Sequence, residues 1–385
     1  MLLLKKIFLI ILTLLFVLLV YLANTDSPKK VKKLKFKESP SIGRVVKSTT
    51  NKKYIAKTKK LKKYFEKRHK VNGFSGNVLF AIDGNIVYEN AFGYSDRKKK
   101  KENKLDTKFQ VASVTKPFTT YAIMLLKQEG ELSYQDSIQK FFPDFPYKGI
   151  TIKMLMIHKS GLPEYFYFAE KLWEDRNIPI TNKDVINLLI NKKPQRYYLP
   201  NKKYNYINTN YCLLAAIIEE VSGITYEKFM QENIFEPLKM TNTFVYNKAN
   251  PVEQKNKAIG YVKRRRVAED TYLNGVVGDK GIYTTVEDML KFDQAMYNGY
   301  PVEQEILEEA FKPAHKRLYI HDNYGFGWRI NASDKENKIV YHTGWWKGFR
   351  SYFIRQLGAK KTIIILSNMS NQSVFGTREL IKLFN

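Results

Sequence analysis

The chain of 385 residues carries 65 Lys plus Arg against 37 Asp plus Glu, a formal net charge of +28. Hydrophobic residues at 44%, with 26 Tyr and 24 Phe, exclude a disordered chain, whose low hydrophobicity could not offset the entropy of ordering. One cysteine, Cys212, excludes an internal disulfide framework, and His69, His158, His315, His321 and His342 show no metal-binding spacing, so neither a metal nor a cofactor is expected.

The N-terminus opens with an apolar run, Ile7 to Ala23, preceded by Lys5 and Lys6. Seventeen helical residues reach about 25 Å, enough for a short membrane span. Residues 1–24 therefore read as a membrane anchor or a signal segment, the anchor favoured because Tyr21 spoils the small-residue cleavage pattern. Between Lys29 and Lys70 there are 18 Lys or Arg against Glu38 and Glu66, more than half of the net charge. Such a block reads as a solvated tether (residues 25–60) that could lie on an anionic envelope surface. Nucleic acid is not expected on a membrane-anchored tail. The expected location is the cell membrane, single-pass, with the catalytic domain outside the cytoplasm.

Residues 61–385 read as the folded unit. Asn77–Ile82 and Ile86–Ala91 form a hairpin through Asp83-Gly84. A short strand-like stretch, Thr107 to Ala112, leads into a helix from about Val114 to Glu129, with Gly130 as its stop and Pro117 in or just past its first turn. Ile152–Ile157, Lys183–Ile190 and Asn210–Val221 have helical spacing, and Thr285 with Asp288 caps a further helix to Met296. Ile339–His342, Phe349–Arg355 and Thr362–Ser367 read as strands. Strands first, helices in the middle and strands last predict an α+β fold, an antiparallel sheet flanked by helices with an all-helical insertion at about 130–270.

Ser113-Val114-Thr115-Lys116 is an S-x-x-K, which on a helix brings the Lys amine to the Ser hydroxyl, a weak nucleophile that needs such a base. The pattern also occurs at Ser27, Ser95 and Ser137, but only Ser113 stands where a strand meets the positive end of a long apolar helix. Tyr206-Ile207-Asn208 is a Y-x-N ahead of the next long helix, its tyrosine able to carry a proton if cations lower its pKa. A second match, Tyr88-Glu89-Asn90, falls in the hairpin strand and reads as surface. His342-Thr343-Gly344 enters a late strand, and the N–H of Trp345 would join that of Ser113 in an oxyanion hole. Lys159-Ser160-Gly161 reads as a helix end.

In that order the three motifs resemble the serine β-lactamase-related hydrolases of the class C and penicillin-binding type. The likeness extends to Phe109–Lys116, to His158-Lys159-Ser160-Gly161-Leu162-Pro163, to Asn205–Tyr211 and to Tyr324-Gly325-Phe326-Gly327-Trp328, covering roughly residues 70–385. It implies the β-lactamase/transpeptidase-like fold, an acyl-enzyme on Ser113, and Lys116 and Tyr206 sharing the base and acid roles. It further implies Asn208 on the substrate amide, and His342, Thr343, Gly344 and Trp345 along the substrate.

One position departs from the family pattern. Relatives that recognise a penicillin or D-Ala-D-Ala carboxylate usually have Lys where this chain has His342, which is only partly charged at neutral pH. The expected activity is therefore hydrolysis of an ester or a D-amino-acid amide or peptide, with a small-molecule or peptide substrate bearing an acyl carbonyl. A β-lactamase or D,D-carboxypeptidase is the alternative, and an inactive wall-binding protein of the same fold a second.

Overall fold

The structure is a computed structural model that describes residues 54–315, 322–370 and 375–384. Its centre is a seven-stranded antiparallel sheet. The hairpin β1 (Gly76–Ile82) and β2 (Asn85–Phe92) forms one side. The strands β3 (Asn323–Tyr324), β4 (Arg329–Asn331), β5 (Ile339–Trp346), β6 (Phe349–Gln356) and β7 (Lys361–Ser367) form the rest, in the spatial order β2-β1-β7-β6-β5-β4-β3. The turn is where the sequence puts it, with Asp83 and Gly84 both at positive φ (49° and 75°), as a two-residue hairpin turn of this hand requires.

Both faces of the sheet are covered, so its inner strands read as continuous apolar runs rather than alternating ones. Val78, Phe80, Ile363 and Ile365 point to one face, where helix α1 (Ile55–Asn72) inserts Leu61 and Phe65. Leu79, Ala81, Ile364 and Leu366 point to the other. There helix α2 (Thr115–Gln128) buries twelve of its fourteen residues, and Phe118 stacks on Phe292 at 3.8 Å between ring centres.

Between α2 and the late strands lies the helical part: α3 (Ile152–Met156), α4 (Tyr165–Leu172), α5 (Asn182–Lys192), α6 (Thr209–Ser222) and α7 (Tyr226–Met230). Helix α8 (Val286–Asn298) returns to the sheet, and its cap is the expected one, the Thr285 side chain accepting from the Asp288 N–H. α9 (Gln304–Ala310) and α10 (Thr377–Ile381) complete the α-helices among the described residues.

Three expectations change. The lysine-rich stretch is not all tether: α1 begins at Ile55, because Leu61 and Phe65, four apart, give that basic helix an apolar stripe to bury. Gly161 does not end a helix, since α3 stops at Met156. Its φ of +73° and the Tyr198 carbonyl packed against its α-carbon leave no room for a side chain. The single-pass membrane location with an extracytoplasmic domain is overturned, because among the described residues no helix is long and apolar enough to cross a membrane. The run 7–23 on which that expectation rested lies outside the described residues.

Candidate active site

The three motifs converge where α2, α6 and β5 meet. The chain leaves a short strand at Phe109–Gln110, places Ala112 at a positive φ of 49° and makes a 3₁₀ turn through Ser113 into α2. An alanine in the left-handed region is strained, and the surroundings hold it there. Ser351 Oγ donates to the Val111 carbonyl at 2.5 Å, and β5 presses its Gly344 against the same turn. Any side chain at 344 would overlap Val111 O and Ser351 Oγ. The glycine of H-T-G is thus required by the packing of the strand on the Ser113 turn.

Lys116 lies one helical turn beyond Ser113 and is fully buried. Its Nζ donates to Ser113 Oγ at 3.2 Å, Asn208 Oδ1 at 2.8 Å and the Asp279 carbonyl at 3.0 Å. Three acceptors satisfy the three protons of an ammonium. Burial nevertheless brings the Lys116 pKa down to about 8, with Asp279 and Glu164 resisting the fall. A lysine on this boundary can hold or release a proton near neutral pH.

Tyr206 lies near Ser113, which lowers the pKa of its phenol, and the Lys116 ammonium lies over its ring at 5.0 Å. Burial dominates over the effects of Ser113 and the Arg329 charge, so the phenol is pushed well above its ordinary value. The cations expected to lower it are present, but they do not overcome desolvation. Tyr206 rests as a neutral phenol with a proton to donate.

The Y-x-N segment is clamped by the loop that precedes α4. His158 Nδ1 accepts from Ile207 N–H at 3.1 Å and from Asn210 Nδ2 at 3.2 Å. Ser160 Oγ donates to Asn210 Oδ1 at 2.5 Å. Ser160 is therefore a buried strut of the site. Asn208 is spoken for at both ends of its amide, Oδ1 on Lys116 and Nδ2 on Glu164 Oε2 at 2.9 Å. In this arrangement it orients the lysine, and only its second Nδ2 proton is free for a substrate.

His342 is fully buried. Its Nδ1–H donates to the Thr343 carbonyl at 2.8 Å, and its Nε2 accepts from the Tyr324 hydroxyl at 3.2 Å. Burial, with Arg329 and Lys116 nearby, holds its pKa well below 6.5, so it is neutral rather than partly charged and cannot bind an anion as the family's lysine does. Thr343 is half-buried, Gly344 buried, and Trp345 is 54% exposed at the rim. β4 pairs with β5 only at Ile339, Val340 and Tyr341, so among the described residues no strand lies beside the outer edge of β5 from His342 to Trp346.

Three groups at the site went unread in the sequence. Arg329, just after the Tyr324–Trp328 stretch, places its guanidinium over the Tyr206 ring at 5.6 Å, with no carboxylate paired to it among the described residues. Glu164 directly follows the Leu162-Pro163 loop. Asp279 and Lys280 form a buried pair with Tyr165, whose hydroxyl donates to Asp279 Oδ2 at 3.0 Å and accepts from Lys280 Nζ at 2.6 Å. Only Arg329 and Glu164 had a local signal, their adjacency to a recognised stretch.

Comparison with known proteins bears on the family and the fold. The β-lactamase family model matches residues 61–384. The chain is 36% identical over 332 residues to penicillin-binding protein 4* of Bacillus subtilis, covering 83% of this chain and 73% of that protein. Two solved structures share the fold: a penicillin-binding protein from Bacillus halodurans (TM-score 0.72, 24% identity, 84% of this chain and 98% of that one) and a D-amino acid amidase from Ochrobactrum anthropi (TM-score 0.70, 22% identity, 84% and 97%). A family model spanning nearly all of the described chain, together with a relative 36% identical over most of it, leads to one conclusion: the protein belongs to the β-lactamase family and is a serine hydrolase.

Proposed function

We propose that the protein forms an acyl-enzyme on Ser113 and hydrolyses D-amino-acid amides or peptides. The observation that carries the reading is the Lys116 amine, buried, bonded to Ser113 Oγ at 3.2 Å and brought to about 8. In the neutral form it takes the Ser113 proton as Oγ attacks the substrate carbonyl carbon. The N–H groups of Ser113 and Trp345 hold the resulting oxyanion. As the C–N bond breaks, the Tyr206 phenol gives its proton to the departing amine and is reprotonated from Lys116. Water then attacks the acyl ester by the reverse proton path, releasing the acid and Ser113.

Arg329 favours a substrate with a free carboxylate. With His342 neutral, this unpaired guanidinium supplies the cation that the third motif lacks. That points to the carboxypeptidase-like end of the family rather than to simple esterases, and it is consistent with a relative named for binding penicillin. Incubation with a labelled penicillin followed by intact-mass measurement tests the reading: a single adduct on the wild type and none on Ser113→Ala are expected. An undiminished adduct on S113A, or none on the wild type, would refute it.

A further inference from the structure

Glu164 is a buried acid that the proposed chemistry leaves without a role. It stands at the N-cap position of α4 and is 7% exposed. Its Oε2 accepts two hydrogen bonds from one residue, the backbone N–H and the side-chain Nδ2 of Asn208, both at 2.9 Å. Its Oε1 is buried with no hydrogen-bond partner among the described residues. Asn208 then turns Oδ1 to the Lys116 ammonium.

A primary amide has two ends of nearly equal shape, one an acceptor and one a donor. With Oδ1 toward Lys116, the ammonium has its third acceptor. Flipped, the amide would set its NH₂ against the –NH₃⁺ and leave one ammonium proton unmatched. A carboxylate is acceptor-only, so across from Glu164 only the NH₂ end is tolerated.

We propose that Glu164 is the positioning residue that fixes the orientation of the Asn208 amide, and through it holds Lys116 on Ser113 in a proton-dependent way. The inference rests on the acyl-enzyme reading above. The charged and titratable groups facing Glu164 are Tyr165 beside it, Lys116 of α2, Tyr206 before α6, Cys212 on α6 and Asp279. Lys171 of α4 and Lys192 of α5 line the surface depression on its outer side. Burial pushes the carboxyl up, with help from Asp279, against the pull of the two Asn208 bonds and Lys116, and the balance is about 7. Above that value Glu164 is the charged acceptor. Below it, the proton sits on Oε1 with no acceptor for it among the described residues, the bonds from Asn208 become neutral ones, and Lys116 loses a nearby negative charge.

Two measurements test this. In protein carrying ¹⁵N-labelled asparagine, the Asn208 side-chain amide signal, assigned by its loss in Asn208→Asp, should move with a midpoint near pH 7 in the wild type. The movement should persist in Lys116→Met, which removes the amine bonded to Asn208 Oδ1, and vanish when Glu164→Gln, which mimics the protonated acid, is added to that variant. The rate of acylation by labelled penicillin, compared above about pH 9 where Lys116 is neutral in both proteins, should be about tenfold lower in E164Q than in the wild type, the step between a charge-assisted and a neutral acceptor. At lower pH the comparison also carries a change in Lys116, whose pKa the Glu164 charge raises. An Asn208 signal that does not titrate in Lys116→Met, or equal rates above that pH of about 9, overturns the proposal. If E164Q fails to fold, the titration in Lys116→Met decides alone. That titration needs no substrate, so failure of the acyl-enzyme reading shows separately as a wild type that forms no adduct.

Discussion

Gly344→Ala is the sharpest small perturbation of the site. The added methyl would overlap the Val111 carbonyl and Ser351 Oγ and meet Ala112 Cβ at 3.1 Å, all on or against the turn that presents Ser113. Neither backbone is free to yield. β5 is paired along its whole length with β6, and Ala112 is already at a φ of 49°. Relief requires the strand and turn to part by about 1 Å, since carbon–oxygen contacts settle above roughly 3 Å. The Ser351 hydroxyl then loses its 2.5 Å bond to Val111. Overpacking costs about 1–3 kcal/mol, and the orphaned hydroxyl and carbonyl a comparable amount. The larger effect is on chemistry, because a shift of this size at a nucleophile costs on the order of 100-fold in rate. The assay is the rate of Ser113 acylation by labelled penicillin, followed by intact mass, beside a thermal melt. A folded G344A acylated at the wild-type rate would refute the packing account of the third motif.

The Lys116 reading predicts that acylation rises about tenfold per pH unit up to about pH 8 and then levels, because only the neutral amine accepts the Ser113 proton; a rate independent of pH between 6 and 9 would sink it. The same depressed pKa means that the folded state gains from Lys116 above its ordinary 10.5 and loses that gain as pH falls toward 8, so Lys116→Met should remove this slope from a pH series of melts. Arg329→Gln should raise KM about tenfold for substrates ending in a carboxylate and leave amides without one unchanged, as read from steady-state kinetics on matched pairs. Away from the site, Asp293 is 1% exposed by side chain and holds Arg355 Nε at 2.6 Å and Thr362 Oγ1 at 3.0 Å. Asp293→Ala should cost about 3–5 kcal/mol by stranding the guanidinium, and Asp293→Leu with Arg355→Met should recover most of it in denaturant titrations.

Features that depend on near neighbours in the chain could be read without the fold. The Asp83-Gly84 turn, the Thr285 cap, the boundaries of α2 and α6, and the one S-x-x-K that sits at a strand-to-helix junction all follow from local conformational preference. The motif order then carried the family and, through it, the α+β architecture. The start of α1 was hidden because two buried side chains among many lysines make a weak stripe until a sheet face is there to receive them.

What the sequence by itself determined is which groups this protein has for chemistry and in what order along the chain they occur. Their states were decided only by the tertiary structure. Burial makes His342 neutral, keeps the Tyr206 phenol protonated, and brings Lys116 and Glu164 to the edge of titration from opposite sides. It also brings Arg329 to Tyr206 and Glu164 to Asn208 across wide gaps in sequence. Desolvation and Coulomb interaction depend on distances in space, and no spacing of residues in a chain specifies those.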